Sequence, residues 1–155
     1  MLPPIVLTIE VACEKAKAFS IFTQQMAAWW PLGKRAMSLY SGGKAMTLEV
    51  EARLGGTIVE VGDDGTRHFW GSFKRFEPHD LLVLDFHMGL PPEQSGTVEV
   101  SFTSAGPGRT AVKLVHSNWE GYGDMAAMMR KGYAGSWGLI LADSFGVACE
   151  AEALA

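Results

Sequence analysis

The chain has 155 residues, enough to bury one substantial core and few for more than a single domain. Apolar residues make up 48 % and charged residues 19 %, which excludes the disordered class. The net charge of −4, with no concentrated basic face, argues against nucleic acid as a partner, because phosphate binding needs clustered cations. The pairs Lys34 with Arg35 and Arg130 with Lys131 read as solvated surface.

The opening Met1-Leu2-Pro3-Pro4 has neither the basic start nor the apolar run of a signal peptide. No window offers the roughly 18 uninterrupted apolar residues of a membrane span. A cytoplasmic protein without membrane insertion is expected. Cys13 and Cys149, nearly a chain length apart and without CxxC spacing, predict reduced thiols, not a disulfide scaffold or a thiolate metal site.

Ile5 to Glu10 alternates Ile5, Leu7 and Ile9 against Val6, Thr8 and Glu10, as a strand does. The period then changes. Ala12 to Phe22 places Ala16, Phe19 and Phe22 on one helical face, and a second short helix, Gln24 to Trp30, is stopped by Pro31. Gly33 to Gly43 lacks periodicity and reads as a loop. Six strands follow. Met46 to Arg53 and Thr57 to Val61 flank the hairpin signal Gly55-Gly56, and Asp63-Asp64-Gly65 makes the next turn. Arg67 to Phe76 leads through the corner Glu77-Pro78-His79-Asp80 into Leu81 to Met88, with Leu82, Leu84, Phe86 and Met88 on one face. Thr97 to Thr103 and Thr110 to Ser117 complete the set, presenting Val98, Val100 and Phe102, then Val112, Leu114 and His116. Short connections favour an antiparallel meander.

Asp124 to Glu152 is predicted to be one long helix with Asp124 as N-cap, roughly 43 Å in length. Met125, Met129, Tyr133, Trp137 and Leu141 form its apolar stripe, widened by Met128, Ile140, Phe145 and Ala148. Beside it runs a stripe of small residues, Gly132, Gly135, Gly138, Ala142 and Gly146. Four interior glycines cost roughly 4 kcal/mol relative to alanine. Two explanations compete: a neighbouring backbone lies very close, or the missing side chains leave room for a guest molecule. A sheet with one dry face needs a cover, and this helix is the element long enough to supply it.

Several ordered motifs then carry a resemblance. Trp29-Trp30-Pro31, Leu54-Gly55-Gly56-Thr57-Ile58-Val59-Glu60, Trp70-Gly71-Ser72-Phe73, Glu77-Pro78-His79-Asp80-Leu81, His116-Ser117-Asn118-Trp119-Glu120, and Tyr133 followed by Trp137 resemble the SRPBCC superfamily. Within it, the chain is most similar to small bacterial proteins related to the C-terminal domain of the heat-shock-protein ATPase activator. The resemblance implies an α+β helix-grip (START-like) fold, in which a curved antiparallel sheet grips a long C-terminal helix over an apolar cavity. Relatives include lipid carriers, hormone-binding proteins, cyclases and chaperone co-factors, so the fold alone assigns no function. Ser136 stands where relatives commonly have glycine, which implies a smaller or more polar cavity.

Trp137 and Tyr133 sit one turn apart facing the sheet, as core or as pocket wall. Met125, Met128 and Met129 read as adaptable fillers, with or without an apolar guest. His116 shares its face with Val112 and Leu114, so the imidazole projects inward and needs a partner. Glu60 alternates with Ile58; facing the same interior, it would meet His116 as an acid/base pair or as a structural hydrogen bond. His68, His79 and His87 lack metal-site spacing, and Gly42-Gly43-Lys44 is no phosphate loop, so no metal and no cofactor are expected.

The leading expectation is binding of a small hydrophobic or amphipathic ligand, walled by Trp29, Trp30, Trp70, Phe86, Trp119, Met129, Tyr133 and Trp137 and oriented by His116. The alternatives are a cyclase- or hydrolase-type enzyme using Glu60 and His116, and a chaperone-related interaction domain. Self-association as a homodimer through a sheet edge or helix face stays open.

Overall fold

The computed structural model describes residues 2–30, 45–62, 65–87 and 90–154. The expected loop over 33–43, Gly42-Gly43-Lys44, the Lys34 and Arg35 pair, Pro31, Asp63-Asp64 and Met88 lie outside the described residues.

Strand β1 (Ile5–Val11) is followed by two short helices, α1 (Lys15–Gln24) and α2 (Met26–Trp29). Six strands come next: β2 (Ala45–Val50), β3 (Thr57–Gly62), β4 (Arg67–Glu77), β5 (Leu81–Phe86), β6 (Gly96–Gly106) and β7 (Arg109–Ser117). They form one curled antiparallel sheet in the order β1-β7-β6-β5-β4-β3-β2. The meander is complete, with β1 added beside β7. This is the helix-grip architecture, α+β in class.

Alternation places one side chain in two on the concave face. The cross-strand register lines up Leu84 with Val98 and His116, and Leu82 with Val100 and Leu114. All six of these side chains are buried. Strand β4 departs from simple alternation. Its register slips once between β3 residues Ile58 and Val59, leaving Trp70 as an extra residue, and again between Phe73 and Arg75, leaving Lys74 extra. The two bulges turn Trp70, Phe73 and Phe76 toward the same core and bend the strand around the helix. Gly71 permits this close approach: a Cβ there would lie 1.8 Å from the Asp85 carbonyl oxygen.

The long helix is composite. A 3₁₀ turn (Trp119–Met125) leads into α3 (Ala126–Gly138), a π-helical stretch (Leu139–Gly146) and α4 (Val147–Leu154). Asp124 is exposed and is not the N-cap, because Gly123, at φ 63° and ψ −135°, turns the chain and α3 begins only after Met125. The π stretch answers the spacing of the buried stripe. Met125, Met129, Tyr133, Trp137, Leu141, Phe145 and Cys149 recur every four residues, and in an α-helix each such step drifts by about 40°. Wider turns with i→i+5 hydrogen bonds hold more residues and unwind that drift, keeping Leu141, Phe145 and Cys149 on the sheet.

Several expectations need correction. Met128 is 59 % exposed and does not widen the buried stripe; in α1 the buried alanine is Ala18, not Ala16. Gly132, Gly135 and Gly138 face solvent, with no atom within 4 Å of a Cβ built on them. These three glycines therefore make room for neither a neighbouring backbone nor an internal guest. Ser136 does not make the interior polar, since its hydroxyl donates to the Gly132 carbonyl on the outer side at 2.8 Å. Cys13 and Cys149, distant in sequence, are both buried and their thiols hydrogen-bond to each other, with burial raising both pKa values. Among the described residues no helix is long and apolar enough to cross a membrane.

Gly132→Ala and Gly135→Ala should each stabilise the protein by about 0.5–1 kcal/mol, because each methyl enters open space on a helix that glycine weakens. Gly71→Ala should destabilise it by more than 2 kcal/mol, roughly the cost of overpacking a core. Urea denaturation of the three variants checks both signs.

Candidate functional site

The concave face and α3 enclose a chain of aromatic rings. Phe86 from β5, His116 from β7, Trp119 from the 3₁₀ turn, and Tyr133 and Trp137 from α3 meet with ring centroids 4.0–6.4 Å apart. Trp30 joins this group through Trp137 at 6.1 Å and leads to Trp70 at 4.7 Å. Met129 is buried in the same core. Trp29 is placed differently. Its indole donates to the Ile21 carbonyl at 2.9 Å, and its ring packs on Phe22, Trp30 and Phe145, so it anchors α2.

His116 is fully buried. The Trp137 indole donates to His116 Nδ1 at 3.1 Å; Nε2 lies 2.8 Å from Tyr122 Oη, which donates to the Phe86 carbonyl at 2.7 Å. An indole N–H only donates, so Nδ1 is the acceptor. Tyr122 has spent its one proton on Phe86, so Nε2 carries the imidazole proton. These constraints fix the neutral Nε2–H tautomer. Burial pushes the His116 pKa down to about 3 and raises that of Tyr122. Both ring nitrogens are occupied, and His116 has no free lone pair with which to take a proton.

Glu60 is also fully buried, on the inward face of β3. Its Oε1 accepts the Trp70 indole N–H at 3.2 Å, and its Oε2 has no partner among the described residues. Glu60 and His116 share no hydrogen bond. The expected acid/base pairing is not formed, because three strands of the sheet separate β3 from β7 and each side chain is held by a different tryptophan. Three further buried atoms in the ring chain lack partners among the described residues: Trp30 Nε1, Trp119 Nε1 and Tyr133 Oη. Burial raises the Tyr133 pKa well above its ordinary value. His87 is buried with an unpartnered Nδ1 and a lowered pKa. Among the described residues, no three metal-ligating side chains converge.

Some clefts of the described residues open away from this ring chain. One of about 330 Å³ is lined by Cys13, Lys17 and Glu152, and another of about 290 Å³ lies beside Trp29 and Ala148, both at the α4 end.

The family model for Activator of Hsp90 ATPase homolog 1-like protein matches residues 12–146. The chain belongs to that family. Every ring named above falls within the matched stretch of this AHSA1-like protein. Its fold is similar to that of the self-sacrificing resistance protein CalC from Micromonospora echinospora, at 25 % identity over 97 % of this chain and 96 % of that one, with a TM-score of 0.71. An anthrahydroquino-γ-pyrone synthase aligns at 25 % identity over 84 % and 86 % of the two chains, with a TM-score of 0.59. An HSP90 activator from Plasmodium falciparum shares the fold at 20 % identity, covering 86 % and 88 %, with a TM-score of 0.56. No curated protein matches the sequence.

Sequence reasoning missed Tyr122, which closes the His116 network. The signal was its setting: Tyr122 lies between Gly121 and Gly123, and Gly96 clears space for its ring, since a Cβ there would lie 2.5 Å away.

The depressed His116 pKa makes this AHSA1-like fold acid-sensitive. Between pH 6.5 and about 3 the unfolded state binds a proton that the folded state refuses, so stability is full above pH 6.5 and falls as pH drops. The contribution of this group should decline by about 1.4 kcal/mol per pH unit across that window. Denaturant titrations from pH 7 to 4 measure it, and His116→Phe should flatten the slope by one proton.

Proposed function

We propose that this AHSA1-like protein binds a small, mostly apolar molecule between the concave face of the sheet and α3. The supporting observation is the set of four buried polar atoms that, among the described residues, have no partner in the interior between sheet and helices: Trp30 Nε1, Glu60 Oε2, Trp119 Nε1 and Tyr133 Oη. Native interiors satisfy the great majority of such groups, and each orphan costs about 1–3 kcal/mol. A ligand with a carbon body and polar atoms at its rim would supply the missing partners, while the aromatic rings supply walls for its body. The likeness to an anthrahydroquino-γ-pyrone synthase, a fold mate at 25 % identity, supports an aromatic guest of this kind.

Binding is favoured over acid/base catalysis by the state of His116. Its nitrogens hold Trp137 and Tyr122 in place, which shapes a wall and orients a guest but leaves no site for proton transfer. A catalytic role would fall to Glu60 alone.

Native mass spectrometry of the protein purified from its own host, followed by denaturation, should release a stoichiometric small molecule. Tyr133→Phe removes one unpartnered oxygen and keeps the ring. It should leave the melting temperature unchanged or raised, and lower ligand occupancy. Empty wild-type protein together with a clearly destabilised Tyr133→Phe would show instead that the hydroxyl serves the fold.

A further inference from the structure

We propose that Glu60 and Trp30 form a polar subsite for a hydroxyl group, phenolic or alcoholic, on the bound molecule; this rests on the ligand-binding reading above. The bulge in β4 creates the subsite. Because Trp70 is an extra residue opposite β3, its indole turns inward and reaches Glu60 Oε1 at 3.2 Å. Glu60 Oε2 is left open. Against the same Trp70 ring, at a centroid distance of 4.7 Å, packs Trp30, buried and, among the described residues, with its N–H unpartnered. One indole is thus flanked by a buried acceptor and a buried donor.

That pairing selects among ligand groups. An ammonium would satisfy the carboxylate and leave the Trp30 N–H beside a like positive charge. A carbonyl or ether oxygen would accept from Trp30 and oppose its lone pairs to Glu60 Oε2. A hydroxyl does both, donating its proton to Glu60 Oε2 and accepting from Trp30 Nε1. A hydrogen bond made in a dry interior is expensive to leave unmade, which is what gives the hydroxyl its advantage. Ring contacts of Trp30 with Trp70 and with Trp137 join this subsite to the rest of the ring chain. A water molecule has the same donor and acceptor chemistry, and the test separates the two.

The ¹⁵N-labelled protein is titrated with toluene, p-cresol and benzylammonium while the indole N–H resonances are followed, that of Trp30 being assigned by its loss in Trp30→Phe. We expect p-cresol to bind about tenfold more tightly than toluene, and the Trp30 N–H signal to move downfield with p-cresol alone. Glu60→Gln keeps an oxygen for Trp70 but removes the acceptor for the hydroxyl proton. It should cut the p-cresol preference about fivefold while toluene affinity changes less than about twofold. Trp30→Phe, which removes only the donor side, should reduce the same preference. Equal affinity for toluene and p-cresol in the wild type would overturn the subsite, assigning the orphan pair to water and leaving apolar binding intact. Tightest binding of benzylammonium would overturn it in favour of a cation site. Failure of all three probes to bind would overturn the ligand-binding reading as well.

Discussion

The indole of Trp137 donating to Nδ1 of His116 fixes how the long helix sits on the sheet. A helix packed by apolar contact alone can rotate or slide with little change in buried area, since such contact is non-directional. A hydrogen bond in a dry interior cannot be lost without leaving both groups unsatisfied. Here the bond does not stand alone. His116 donates its single ring N–H to Tyr122, and Tyr122 donates to the backbone of β5, so α3, β7, the 3₁₀ turn and β5 are tied through four polar groups in series. Chains of this kind polarise one another and define a unique packing. The aromatic rings around His116 then have fixed positions from which to build a wall.

The opposite end of the ring chain is organised differently. Glu60, Trp70 and Trp30 are as deeply buried, yet their hydrogen-bonding capacity is only partly used. The same interior thus holds one saturated network and one open one. The saturated network lies where helix and sheet must register, while unpartnered atoms occur both on the rings beside it, Trp119 and Tyr133, and where β3 and the bulged β4 meet the end of α2.

Much of the fold was legible because its signals are local. Alternation marked β1, β5, β6 and β7, turn signals placed β2, β3 and β4, and the inward side of His116 followed from Val112 and Leu114 four and two residues before it. The helix was visible from its stripe, but not its internal changes of winding. The strict four-residue spacing from Met125 to Cys149 carried that information and was read as an ordinary helical period. What the sequence could not supply was distance across the sheet. Glu60 and His116 both point inward, yet strand order decides whether they meet, and strand order is a long-range property. The contact between Cys13 and Cys149 was hidden for the same reason. The glycine stripe misled because a missing side chain suggests something close by, whereas these glycines border solvent.

That outward glycine face bears on when the helix forms. With Gly132, Gly135 and Gly138 in its span, the segment has little tendency to be helical on its own, and short helices in water are marginal even with favourable sequences. Its order comes from the side that meets the sheet. The strands must therefore be paired before the helix has a template, and the concave face, with its tryptophans, stays wet until the segment that follows them in the chain arrives. Folding of this protein ends with a docking step in which helix winding and core dehydration are one event.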